Sequence, residues 1–239
     1  MTLTIPGEIA AKYDSFGYTV ENPVAQILLV SIKTFTGAIV YPVFTNIVAL
    51  IFCSLCQHCC TLIDSLTQDV LKISPEAFGP HQQIDVFRHK ARIDDVLENL
   101  QAIFSLPSFL IIVANFLSCG SIVGWFLLYF SFGSYEPFMI IESVFNGFNA
   151  FGCLVTVLWT AGSLPIRMQK LKEAFHNKSH LRLFTMQNFE ESQLRRELFD
   201  KPDFVFTGCD MISYRRSSVL AAIGTLLTYT VLVITSKSE

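Results

Sequence analysis

Residues 104–130 read FSLPSFLIIVANFLSCGSIVGWFLLYF, 27 consecutive residues without a charged side chain. A helix crossing the roughly 30 Å hydrocarbon core of a bilayer needs about 20 apolar residues. Lipid admits helices because they satisfy their own backbone hydrogen bonds. Three more stretches meet that demand. Residues 36–56 (TGAIVYPVFTNIVALIFCSLC) have an apolar lead-in from Val24 interrupted by Lys33. Residues 137–163 (PFMIIESVFNGFNAFGCLVTVLWTAGS) carry Glu142 near one end, and residues 217–235 (SSVLAAIGTLLTYTVLVIT) carry no charge.

Composition agrees. Of 239 residues, 51% are hydrophobic and 15% charged, with a mean hydropathy of +0.47; soluble domains run nearer ~25% charged. The expected fold is all-α, a polytopic membrane helix bundle of about four transmembrane helices with helical cytoplasmic extensions, and the lipid bilayer is its first partner. A formal net charge of −3 offers no basic face for phosphate backbones, which speaks against nucleic acid. No secretory cleavage pattern follows Met1, so the first membrane helix is expected to serve as the targeting signal.

Orientation follows the Lys and Arg of the loops. Lys72, Arg88, Lys90 and Arg92 lie between the first and second spans. Arg167, Lys170, Lys172, Lys178, Arg182, Arg195, Arg196, Lys201, Arg215 and Arg216 lie between the third and fourth. The SFGSYE turn between the second and third has none. Both basic loops are therefore expected in the cytoplasm and both termini outside. The resulting organisation is an extracellular segment 1–23, a first membrane helix with cytoplasmic extension 24–64, and a cytoplasmic loop and helix 65–103. The second and third membrane helices follow at 104–163, then a cytoplasmic segment 164–216, then a last helix and short extracellular tail 217–239.

The cytoplasmic segments carry helical patterning. Val86, Ile93, Val96, Leu97, Leu100 and Ile103 recur at helical spacing, so the second membrane helix is expected to project well below the bilayer. Residues 181–199 form another amphipathic candidate.

Few residues suggest chemistry. Cys53, Cys56, His58, Cys59 and Cys60 cluster, but on one continuous helix they cannot converge as a zinc tetrahedron needs. Packing, S-palmitoylation of Cys56, Cys59 or Cys60 and metal binding all remain open for them. The seven cysteines are odd in number and fall in helices or on the cytoplasmic side, so no disulfide is expected. Phe116, Trp125, Tyr129, Phe138, Glu142, Phe145 and Phe148 gather toward the outer halves of the second and third spans. They could line a small-molecule pocket or form an interfacial aromatic belt. Asn46, Asn115 and Asn149 are the only polar hints of a transporter. No catalytic signature is present; an enzyme is not expected, and no cofactor or metal is implied.

The C-terminal string FTGCDMISYRRSSVLAAIGTLLTYTVLVI, residues 206–234, is similar to the closing signature of the insect-type gustatory receptor family. Phe206, Thr207 and Cys209 match its opening, Arg216-Ser217 its junction, Gly224 its glycine and Thr228-Tyr229 its Thr-Tyr pair. The family's closing Gln-Phe is replaced by Thr235-Ser236. The order of the other segments resembles the last four of the family's seven helices. The resemblance implies a tetrameric, ligand-gated, non-selective cation channel of the plasma membrane, opened by a small-molecule tastant and assembled with itself or related subunits. Leu232 would sit at a hydrophobic constriction and Thr235 and Ser236 at the outer mouth of a pore lined by the last helix. The alternative is a truncated or accessory scaffold subunit that does not conduct.

The topology makes a direct prediction. Asn177-Lys178-Ser179 is an N-glycosylation sequon placed in the cytoplasm, so the chain expressed in glycosylating membranes keeps its gel mobility after endoglycosidase treatment. A mobility shift that Asn177→Gln abolishes would invert the topology.

Overall fold

A computed structural model describes residues 22–132, 137–186 and 204–236 of the chain. Contacts divide the protein into two compact units, 1–48 and 49–239.

Within the first unit, the apolar lead-in from Val24 is a helix of its own, α1 (Pro23–Ala38). It passes into a six-residue π-helical segment, Ile39–Phe44, which contains Pro42. Proline lacks the N–H for the regular ladder, and a π-type widening is one way a helix absorbs that loss. Regular α-helix resumes at α2 (Thr45–Lys72).

The second unit is built on α3, which runs unbroken from Pro80 to Phe132, 53 residues and about 80 Å at the usual rise. The expected extension of the second span below the apolar stretch is therefore one continuous rod. Its stripe is narrower than the sequence suggested. Val86, Ile93, Leu97 and Leu100 are buried, whereas Val96 and Ile103 stand at the stripe's edge and are exposed. Lys90 and Asp94, four residues apart, bury a 2.6 Å ion pair on the same face.

Two helices follow: α4 (Pro137–Ala161) and, after a turn at Gly162, α5 (Ser163–Met186). The sequon lies inside α5, where the Ser179 hydroxyl is buried and donates to the Phe175 carbonyl at 2.9 Å. The 187–199 part of the second amphipathic candidate lies outside the described residues. A two-residue antiparallel ladder, β1 (Thr207–Gly208) with β2 (Ile212–Ser213), precedes the last helix, α6 (Arg216–Thr235).

Four helical stretches are long and apolar enough to cross a membrane: Pro42–Lys72, Pro80–Leu127, Ile140–Arg182 and Arg216–Thr235. Each overlaps an expected span, and the last contains one whole, 217–235. Much of their apolar surface points outward: Leu50, Leu110, Leu117, Ile141, Leu220 and Leu227 are all more than half exposed. In water that surface would drive aggregation; in a bilayer it is the solvated face. The protein is thus mostly helical and compatible with a polytopic membrane bundle.

The far end of the bundle is closed by aromatics. Phe175 of α5 meets Phe78 and Phe87 edge-on at 5.2 and 5.3 Å, and Phe78 and Phe175 are fully buried. Lys178 Nζ donates to the Ile73 carbonyl just past α2, at 2.7 Å. A cation there also favours the negative end of a helix. Truncating Phe175 removes both ring contacts and opens a cavity worth about 3–5 kcal/mol. Phe175→Ala should lower the thermal midpoint of the detergent-solubilised chain by several degrees, while Leu181→Ala at an exposed position leaves it unchanged.

Candidate functional site

The hairpin before α6 is seated on α3 by a dense polar contact. The Gln101 side chain donates from Nε2 to the Thr207 carbonyl at 2.6 Å and lies 2.8 Å from the Thr207 hydroxyl. Its Oε1 accepts the Thr207 N–H at 3.1 Å. One turn on, Ser105 donates to the same carbonyl at 3.2 Å and accepts the Cys209 N–H at 2.9 Å. A further turn on, Ser108 gives its proton to the Phe104 carbonyl at 2.5 Å. Its oxygen is then free to accept from the Tyr214 hydroxyl, 2.9 Å away. Burial pushes the Tyr214 phenol above its ordinary value, so it stays neutral and keeps that proton.

Rings complete the seat. Phe206 is fully buried, edge-on to Phe52 of α2 at 5.2 Å and stacked 5° from parallel with Tyr214 at 6.5 Å. The Tyr214 N–H closes on the Phe206 carbonyl at 2.7 Å. Gly208 has no alternative: a Cβ there would lie 2.3 Å from the Tyr214 hydroxyl and 3.0 Å from Phe109. The turn itself is strained, since Cys209 and Asp210 both hold left-handed backbone, with φ of 51° and 55°. Asp210 eases this by accepting from the Thr207 hydroxyl at 3.0 Å.

The hairpin leads straight into α6. Ser218 accepts the Arg215 N–H at 3.4 Å and donates to the Ser213 carbonyl at 2.9 Å, fixing the first turn. Gly162 lets the end of α4 touch that turn, because a Cβ at Gly162 would meet the Arg216 nitrogen at 2.6 Å. The Arg216 guanidinium lies 4.4 Å from the centre of the Trp159 ring.

Beyond its start, α6 is almost bare, and only Val219 is buried. Leu232 is 62% exposed. Thr228, Thr235 and Ser236 bond their hydroxyls to carbonyls of their own helix. Gly224 has no neighbour where a Cβ would be, and Tyr229 points its hydroxyl to Gly124 of α3.

The aromatic set disperses. Phe145 and Phe148 are exposed on α4, as is Glu142; Trp125 stacks edge-on with Phe126 at 5.3 Å; the side chains of Tyr129 and Phe138 lie outside the described residues. Among the described members of this set, Phe148 alone lines an apolar cavity of about 330 Å³, with Cys119, Ile122, Phe126, Gly147 and Leu226. The hairpin's partners Gln101, Ser105 and Ser108 escaped the sequence reading. Their signal was three polar residues at helical spacing where the apolar stretch begins.

The clustered cysteines pack. Cys53, Cys56, Cys59 and Cys60 are buried, and Cys60 Sγ sits 3.3 Å from the Ser163 hydroxyl. Among the described residues no three His, Cys, Asp or Glu side chains are grouped to hold a metal ion. Comparison with known proteins brings no kinship to bear: the chain matches no protein-family model and no curated protein.

The seat can be tested directly. Gln101→Ala removes three hydrogen bonds and takes the side-chain acceptor from the Thr207 N–H, whose carbonyl keeps Ser105, at about 1–3 kcal/mol for the group left unpaired. It should lower the thermal midpoint of the purified chain markedly and expose Cys209 to a maleimide. Gly208→Ala should prevent folding, read as loss of monodisperse protein on size exclusion.

Proposed function

We propose that this chain is a chemosensory subunit of the gustatory receptor type, a ligand-gated, non-selective cation channel of the plasma membrane whose last helix lines a tetrameric pore. One observation carries the reading. Ala221, Gly224, Thr225, Thr228, Leu232 and Thr235 fall on one face of α6, and all six are exposed. That face is small or hydroxylated except at Leu232. A span of this kind lacks cover within its own chain and offers the close approach that packed membrane helices use.

The chemistry suits conduction. Hydroxyls along the face can wet a shared axis, and an apolar ring at Leu232 can dewet and block ions without a charge barrier. The cavity lined by Phe148 supports the ligand-gated part of the reading. Its volume falls within the range of small-molecule sites, and Leu226 brings α6 into its wall. A tastant bound there opens the pore to the extent that it prefers the open arrangement.

Cysteine scanning along 217–235, in a background lacking Cys209, tests the proposal in cells carrying the chain. Positions 221, 225, 228, 232 and 235 should react with a hydrophilic thiol reagent and alter current, while 220, 227 and 234 stay silent. Leu232→Asn should raise basal cation current several-fold by wetting the constriction. Uniform silence along the helix, with no current from Leu232→Asn, would favour a non-conducting scaffold subunit.

A further inference from the structure

A second cavity lies where α4 hands over to α5 and where α6 begins. It holds about 360 Å³ and, unlike the first, is mainly polar, lined by Asp64 and its neighbours on α2, by Trp159, Ser163 and Arg167 around the α4–α5 turn, and by Arg216. Two of its groups are fixed cations. Arg167 is paired with Asp64. Arg216 rests on the Trp159 ring, and among the described residues no carboxylate forms an ion pair with it.

Two arginines against one carboxylate leave the cavity with one net positive charge. The start of the 20-residue α6 adds the positive end of its dipole. A cation–π contact engages the charge of a guanidinium but uses none of its N–H donors, so Arg216 keeps the fork that matches phosphate oxygens. The place matters as well. Arg216 is the last charge before the apolar run of α6, and Trp is the side chain enriched at the boundary between headgroups and acyl chains.

We propose that this cavity is a phosphate-binding site, with Arg216 as the primary ligand, Arg167 as the second, and Asp64 as the built-in competitor that holds Arg167 when the site is empty. The phosphate can come from an anionic phospholipid headgroup or from solution. Because Gly162 ties the end of α4 to the first turn of α6, a bound phosphate clamps the two helices at that junction. The site stands independently of any pore, since it needs only the α2, α4–α5 and α6 contacts.

The test titrates the full purified chain in neutral-lipid micelles while following tryptophan fluorescence, with Trp159→Phe identifying the responding ring. One arm adds phosphatidic acid and the other inorganic phosphate. Saturation by phosphatidic acid alone assigns the headgroup as the source; saturation by both assigns a solvent-open phosphate site. Arg216→Gln should weaken binding at least tenfold. Asp64→Asn should tighten it several-fold by freeing Arg167, a change of sign that a folding defect cannot imitate. Absence of saturation in both arms overturns the proposal, and so does an Asp64→Asn affinity equal to or below that of the native chain.

Discussion

The contact on which the second unit depends is the three-point bond between the Gln101 amide and Thr207. A short hairpin has too few ladder bonds to hold itself together, and here its backbone donors and acceptors are completed by side chains of α3 instead. Ser105 and Ser108 extend the same row. The row stands on a single helix of 53 residues. What it fixes is the entry of α6, a helix of which only Val219 is buried among the described residues.

Solvent identity explains why the spans were readable from the residues. A lipid-facing helix needs an uninterrupted apolar run whatever its neighbours are, so 104–130 and 217–235 could be recognised without knowing what they touch. The structure starts the last helix at Arg216, one residue from the expected edge. The first span was less legible because its break is local. Pro42 is visible in the sequence, but only the backbone decides whether it kinks a helix, ends one, or is absorbed as the π-helical turn found at Ile39–Phe44.

The site was legible in part for a different reason. Phe206, Thr207, Cys209 and Arg216 stood out by resemblance, yet their roles depend on partners far away in the chain, Phe52, Gln101, Ser105 and Trp159, and no periodicity reveals those. Phe206 works because Phe52 and Tyr214 flank it. Cys209 matters for a left-handed backbone that its residue type does not advertise. The stripe on α3 erred in the opposite direction: Val96 and Ile103 have the right character, but the buried face is too narrow to include them.

These features distribute stiffness unevenly along α6. Its first turn is bound to the hairpin through Ser218, to α4 through Gly162 and to Trp159 through Arg216. Its later turns are mostly exposed, with Tyr229 approaching Gly124 and Leu226 in the wall of the apolar cavity. A helix held at one end and uncovered at the other converts a small change at its base into a larger displacement at its tip, because a rigid rod rotates about its fixed point. Packed junctions favour two discrete arrangements over continuous bending. Any ligand or lipid that distinguishes two arrangements at the Gly162–Arg216 contact therefore acts on the position of Leu232, four turns away, without touching it.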